Sequence, residues 1–198
     1  EMLGVYTPDY GFVLDTMVFD EAQGLESVQF IQPKVEIEIA FVFNKALKGP
    51  NVTVQDVIDA TAYVVPAIEI IDSRIADWKI KFEDTVADNG SSAGAILGSK
   101  RTLLRDIDDI SKIKMTVMKN GEFLDEATSD AVLGNPLNAI VWLANEVGTY
   151  GISIEPGMFV LSGALSKAVL FEQGDRFTAD FGVLGNVTVF IAKEVVMR

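Results

Sequence analysis

Residues 33–43 read Pro33-Lys34-Val35-Glu36-Ile37-Glu38-Ile39-Ala40-Phe41-Val42-Phe43. β-Branched and aromatic residues dominate from Val35 to Phe43, which predicts a strand. Side chains two apart on a strand share a face. One face is therefore Val35, Ile37, Ile39, Phe41 and Phe43, and the other is Glu36, Glu38, Ala40 and Val42. Both faces turn apolar toward Phe43, so the strand is expected to run into the core. Its two carboxylates then sit at the core's edge, about 7 Å apart at the backbone.

Working outward, Val64–Ile71 is a nearly continuous apolar run and reads as a second, buried strand. Ile113–Met118 alternates and leads into Lys119-Asn120-Gly121-Glu122. Asn-Gly is the favoured two-residue hairpin turn, so Glu122–Leu124 is expected to return as the partner strand. Phe159–Leu161, Ala168–Leu170, Arg176–Phe181 and Val187–Ala192 read as short strands between Gly-containing turns. One helix starts after Thr53 as N-cap, with Val54, Val57 and Ile58 as its apolar stripe. Another has Asn135 as N-cap, Pro136 in its first turn, and Leu137, Ile140, Val141 and Ala144 at helical spacing, with Gly148 to end it. The pattern predicts a mainly β member of the α+β class, with antiparallel or mixed sheets and a few peripheral helices.

The chain has 198 residues, of which 49% are hydrophobic, enough for a substantial core. No repeat or low-complexity linker divides it, and residues 1–198 are read as one domain. Twenty-nine acidic against 16 basic residues give a formal charge of −13. That sign disfavours nucleic acid and anionic membranes as partners. The sequence contains neither Cys nor His. Disulfides, thiolate sites, a Ser-His-Asp triad and His-based zinc sites are thus excluded within it. Chemistry must run on carboxylates, lysines, hydroxyls, backbone groups and an oxygen-seeking metal. No secretory signal or membrane-spanning run is visible, so the expected address is the cytoplasm. The start, Glu1-Met2-Leu3-Gly4, reads as the interior of a longer chain.

A third acid, Glu69, interrupts the apolar run Val64-Val65-Pro66-Ala67-Ile68-Glu69-Ile70-Ile71. An uncompensated carboxylate there is costly or becomes protonated. Two readings fit the residues. In one, Glu36 and Glu38 lie on a solvated face and Glu69 pairs with Arg74 or Lys34. In the other, Glu36, Glu38 and Glu69 surround a hard cation such as Mg²⁺ or Mn²⁺.

Longer strings carry a resemblance. Glu36-Ile37-Glu38-Ile39-Ala40-Phe41-Val42 and Val65-Pro66-Ala67-Ile68-Glu69-Ile70-Ile71-Asp72-Ser73-Arg74 resemble the 2-oxopent-4-enoate (2-hydroxypenta-2,4-dienoate) hydratase family. The likeness continues through Asp77-Trp78-Lys79-Ile80-Lys81 and Asp84-Thr85-Val86-Ala87-Asp88-Asn89. It returns at Gly134-Asn135-Pro136-Leu137-Asn138-Ala139-Ile140-Val141-Trp142-Leu143-Ala144, Leu161-Ser162-Gly163-Ala164-Leu165 and Gly174-Asp175-Arg176-Phe177. The family is part of the fumarylacetoacetate hydrolase-like superfamily, and the resemblance implies that superfamily's C-terminal-domain-like mixed β-sheet core. It also implies Mg²⁺ or Mn²⁺ held by Glu36, Glu38 and Glu69, and a small 2-oxo acid substrate. The implied reaction adds water to 2-hydroxypenta-2,4-dienoate, giving 4-hydroxy-2-oxopentanoate in meta-cleavage degradation of aromatic compounds. A 2-oxo acid can chelate one ion through its carboxylate and 2-oxygen, where a Lewis acid stabilises developing negative charge.

Proton transfer needs a positioned group. Asp15, closing Pro8-Asp9-Tyr10-Gly11-Phe12-Val13-Leu14-Asp15, matches a segment near the family's active site and reads either as that group or as a surface acid. Ser91 follows Asp88-Asn89, with Gly90 where family members commonly carry Ala. Ser162 and Gly163 are candidate contacts for the substrate carboxylate, and both serines can also be turn residues. The family's upstream Gly-x-Lys-x-Gly-like string has no match here, so 1–198 is expected to be a catalytic domain without that N-terminal segment. The nearest rival by resemblance is 4-oxalocrotonate decarboxylase, followed by a hydratase of a longer 2-oxo dienoate and a non-catalytic partner subunit. The superfamily's carbon–carbon hydrolases use a His that this chain lacks. A homo-oligomer, and association with the sister decarboxylase, are also implied.

Overall fold

The computed structural model describes residues 8–192, so the opening string Glu1–Gly4 lies outside the described residues. Its strands are β1 (Val18–Phe19), β2 (Lys34–Phe43), β3 (Thr61–Ile71), β4 (Ser92–Leu97), β5 (Lys114–Lys119), β6 (Glu122–Thr128), β7 (Phe159–Leu161), β8 (Val169–Leu170), β9 (Arg176–Asp180) and β10 (Asn186–Phe190). The α-helices are α1 (Val54–Ala60), α2 (Phe82–Ala87) and α3 (Pro136–Gly148). Short 3-10 turns connect many of these elements.

Two sheets form. The first has the order β1-β4-β3-β2-β7, with β8 pairing the start of β2. It is mixed, because β1 runs parallel to β4 while the other pairs are antiparallel. The second is antiparallel throughout, in the order β10-β9-β5-β6. The expected mainly β, mixed-sheet architecture with peripheral helices is the one observed.

The predicted inner face of β2 is buried as read: Val35, Ile37, Ile39, Phe41 and Phe43 all join the main core. Val64, Ile68 and Ile70 of β3 and Ile96 of β4 extend that surface. Met115 and Val117, Phe177 and Ala179, and Val187 and Val189 of the second sheet belong to the same core. Each fully buried side chain of this size contributes about 1.5–3 kcal/mol by leaving water. The two-sheet core therefore fixes which way β2 faces, because a one-residue slip would drive Glu36 and Glu38 into it.

Helix α1 has the expected cap, with the Thr53 hydroxyl accepting from the Asp56 N–H at 3.3 Å and the Asp56 carboxylate accepting from the Thr53 N–H at 2.8 Å. Of its expected stripe only Val57 is buried; Val54 and Ile58 are 40% and 37% exposed. At seven residues the helix presents little more than one buried side chain per turn. Helix α3 matches its reading, capped by Asn135 and burying Leu137, Ile140 and Ala144, with Val141 half-buried. Gly148 is its last residue, and the reason for glycine there is space. A Cβ at Gly148 would stand 2.5 Å from the Cα of Gly49.

The Asn120-Gly121 turn forms as expected, both residues having positive φ (56° and 87°). Its partner strand β6 is longer than read, reaching Thr128. The acids Asp125 and Glu126 hide this extension from a pattern reading. Strand β3 likewise starts three residues earlier than expected, and the added residues contain an irregularity opposite Val42/Phe43.

Candidate metal centre

Strand register builds the site. Directly opposed residues of antiparallel strands project to the same face. Glu36 of β2 opposes Glu69 of β3, Glu38 opposes Ala67, and Glu69 in turn opposes Ala95 of β4. All three acids thus occupy the sheet face that points away from the two-sheet core. A carboxylate oxygen from each of Glu36, Glu38 and Glu69 lies within 4.8 Å of the others. Toward the Phe43 end of β2 this face becomes a small second apolar cluster of Ala40, Val65 and Ala67, flanked by Tyr63, Leu97, Phe159 and Leu161.

The three carboxyls are strongly perturbed. Burial, then the charges of Glu69 and Asp9, push Glu36 up to about 8, while Lys34 opposes the rise. Glu38 is only 2% exposed. Burial and the neighbouring Glu69 and Glu36 drive its pKa well up, against the Gly163 N–H that donates to its Oε2 at 2.7 Å. Burial also raises Glu69, partly offset by the Ser92 hydroxyl and by Glu38. The Ser92 Oγ faces Glu69 without a hydrogen bond of regular geometry.

The cationic partners that the sequence left open are engaged elsewhere. Arg74 pairs with Asp88, and the Lys34 ammonium stands 4.1 Å from the centroid of the Trp78 ring. Among the described residues, no Lys or Arg forms an ion pair with Glu36, Glu38 or Glu69. Three convergent carboxylates held together without an ion-paired Lys or Arg suit a hard divalent cation.

The remaining candidates divide. Asp15 is exposed on a 3-10 turn (Asp15–Met17) and is not among the charges that perturb the three acids. Asp9, six residues earlier and exposed to solvent, is the acid whose charge reaches Glu36 and Glu69. Sequence pattern gives Asp9 no mark of its own within Pro8–Asp15. The available signal was Gly11, whose Cβ would lie 2.2 Å from the Asn89 carbonyl oxygen and so marks a close approach. Ser91 is buried at φ 59° beside Ser92, and its Oγ has no hydrogen-bond partner. The Ser162 Oγ is likewise buried and unpartnered. The Gly163 N–H, expected to meet a substrate carboxylate, is used by Glu38 instead.

Comparison with known proteins agrees with this geometry. The family model for the fumarylacetoacetate (FAA) hydrolase C-terminal domain matches residues 21–192. A 2-keto-4-pentenoate hydratase of Paraburkholderia phymatum is 44% identical over 187 residues, covering 94% of this chain and 71% of the relative. A 2-hydroxyhexa-2,4-dienoate hydratase of Comamonas testosteroni is 41% identical over 191 residues, covering 96% and 72%. Among solved structures, 4-oxalocrotonate decarboxylase from Pseudomonas putida G7, complexed with magnesium and adipate, superposes with a TM-score of 0.91 at 35% identity. That match covers 96% of this chain and 72% of the decarboxylase. No helix among the described residues is long and apolar enough to cross a membrane.

Proposed function

The chain belongs to the fumarylacetoacetate hydrolase C-terminal family, and from that premise we propose that it is a divalent-metal-dependent hydratase of 2-hydroxypenta-2,4-dienoate. The product is 4-hydroxy-2-oxopentanoate, a step in the degradation of aromatic compounds. The observation that carries the reading is the trio Glu36, Glu38 and Glu69, converging within 4.8 Å and without a cationic partner among the described residues.

In this reading those three residues hold Mg²⁺ or Mn²⁺. When bound there, the ion would supply a Lewis acid toward a small 2-oxo acid. The Gly163 N–H fixes the Glu38 carboxylate, and the two-sheet core fixes the strand that carries it. Asp9 serves as the proton-moving group in place of Asp15, being the open carboxylate close to the acids. The reaction requires a proton to leave the 2-hydroxyl and reach C5, and water then to add across C3 and C4. A positioned carboxylate can relay such protons. The unpartnered hydroxyls of Ser91 and Ser162 are candidate donors to bound substrate.

Decarboxylation of 4-oxalocrotonate is the second reading, favoured by the 0.91 TM-score. Hydratase relatives at 44% and 41% identity, against 35% for the decarboxylase, decide for hydration. The reading extends to a cytoplasmic homo-oligomer, with 1–198 acting as one catalytic domain that can associate with a sister decarboxylase. Light scattering and co-purification test those two points.

The functional test offers 2-hydroxypenta-2,4-dienoate and 4-oxalocrotonate separately, with Mg²⁺ or Mn²⁺ and with EDTA, and reads products by mass spectrometry. Metal-dependent gain of one water on the first substrate is expected. Loss of carbon dioxide from the second, without hydration of the first, would make the protein a decarboxylase.

A further inference from the structure

The turn between α2 and β4 is unusual. Asn89, Gly90 and Ser91 follow one another in the left-handed region, at φ 59°, 66° and 59°. Only the middle residue is glycine, and consecutive non-glycine residues there are strained. Such conformations persist where surrounding contacts over-determine them, and they concentrate at functional sites.

The contacts that determine this turn point to the segment carrying Asp9. The Asn89 side-chain amide takes up both backbone groups of Phe12: the Phe12 N–H donates to Oδ1 at 2.7 Å, and Nδ2 donates to the Phe12 carbonyl at 2.9 Å. One side chain thereby imitates a strand partner. Gly11 lies flat against the same residue, with room for no Cβ. On the other side of the segment, the Thr85 hydroxyl of α2 reaches the Asp9 carboxylate at 3.4 Å. After the turn, the chain enters β4, where Ala95 stands opposite Glu69 on one side and Val18 of β1 on the other. The turn that holds the Asp9 segment therefore leads directly into β4, the strand that pairs with Glu69's own strand β3.

We propose that Asn89 is a positioning residue, whose amide clamp on Phe12 fixes where the segment carrying Asp9 stands relative to the Glu36–Glu38–Glu69 centre. The proposal rests on the reading of Asp9 as the proton-moving group. Asn89 itself touches neither substrate nor metal; it acts through the backbone of residues 9–12. Its side chain needs both an acceptor and a donor, so Asp, which keeps only the acceptor, is not a substitute.

The test combines a double-mutant cycle with hydrogen exchange on the full chain. Asn89→Ala is expected to lower kcat for hydration about 10- to 100-fold, while the affinity for Mn²⁺ alone stays within about twofold, in line with the cost of misplaced catalytic groups. In an Asp9→Asn background the same change should cost nothing further, because the group it positions is gone. Equal losses in both backgrounds would make Asn89 merely structural and overturn the proposal. Gly11→Ala, which pushes the segment off Asn89 from the other side, should reproduce the loss and covers the case in which Asn89→Ala fails to fold. Exchange at residues 9–14 should rise in both variants. Were the wild-type chain inert toward dienoates, the functional reading would fall. Unchanged protection at 9–14 in Asn89→Ala or Gly11→Ala would then overturn the clamp separately.

Discussion

Glu36 and Glu69 stand directly opposite each other across the β2–β3 ladder, on a sheet face where neither has a cationic partner among the described residues. Like charges opposed on a ladder are destabilising. Burial adds to that cost. The arrangement persists because the opposite faces of the same strands are locked into the main core by Val35, Ile37, Ile68 and Ile70. A site that disfavours its own charges when empty is one that a divalent cation stabilises.

Replacing any one of the three acids tests this directly. Glu36→Gln, Glu38→Gln and Glu69→Gln should each lower metal-dependent turnover by at least about a hundredfold, since changes one shell further out already cost 10- to 100-fold. The metal-free variants should unfold at the same or higher temperature than wild type at pH 8, because each removes a carboxylate from a crowded, partly buried trio. Full activity in any variant would remove that residue from the ligand set.

Stability of the metal-free protein should fall as pH rises. Glu36 titrates at about 8 in the fold against an ordinary 4.5, so between those values the folded state holds a proton that the unfolded chain has lost. The unfolded state then binds fewer protons, and unfolding free energy decreases with pH. The contribution is complete below about 4.5 and lost through about 8; Glu38 and Glu69, raised for the same reason, act in the same sense. Thermal melts in EDTA should therefore shift down between pH 5.5 and 8.5, and the shift should shrink in Glu36→Gln. Saturating Mn²⁺ should oppose the fall, because metal affinity rises as the ligands deprotonate.

Asp9 and Asp15 make opposite predictions. Asp9→Asn should lower kcat about 10²- to 10⁴-fold, the range of general acid–base catalysis, with Mn²⁺ affinity little changed. Asp15→Asn, on an exposed turn, should stay within about twofold of wild type. Steady-state kinetics with a parallel Mn²⁺ titration distinguishes them; a large loss in Asp15→Asn alone would restore Asp15 as the proton-moving group.

A prediction on the fold concerns Asn120. Its φ of 56° suits the hairpin turn, its Nδ2 donates to Asp175 Oδ1 at 2.9 Å, and its Oδ1 accepts from the Arg176 N–H at 2.8 Å. Asp175 is further held by Lys119 at 2.8 Å. Asn120→Ala should cost about 2–3 kcal/mol, or roughly 5–10 °C in Tm, without altering Mn²⁺ affinity. Chemical denaturation and calorimetry measure it.

Much of this architecture could be read from residues alone, for identifiable reasons. Strand β2 was legible because β-branched and aromatic residues dominate it from Val35 to Phe43 and one face is uniformly large and apolar. Asn120-Gly121 and Asn135-Pro136 announced a turn and a helix start through backbone chemistry. Strand β4 was not legible: Ser92-Ala93-Gly94-Ala95 carries no β-former, and Gly94 is demanded by Phe19, whose ring would lie 2.1 Å from a Cβ there. Helix α2 is only six residues long and gives too short a period to recognise. At the site, Glu36, Glu38 and Glu69 stood out because acids in apolar runs call for compensation. Their convergence is a matter of register, which pairs Glu36 with Glu69 across 33 positions of sequence. Asp9 was hidden because its neighbourhood is made by Asn89, far away in the chain.

The most direct measurement of the central claim is calorimetric titration of Mn²⁺ into the metal-free full chain near pH 7, repeated in two buffers of different ionisation enthalpy. The expected result is one site per chain with net proton release, abolished in Glu69→Gln, because Glu36, pushed up to about 8, holds a proton near pH 7 that the ion must displace. Absence of binding, or binding that Glu69→Gln leaves intact, would contradict the assignment of these three acids as the metal centre.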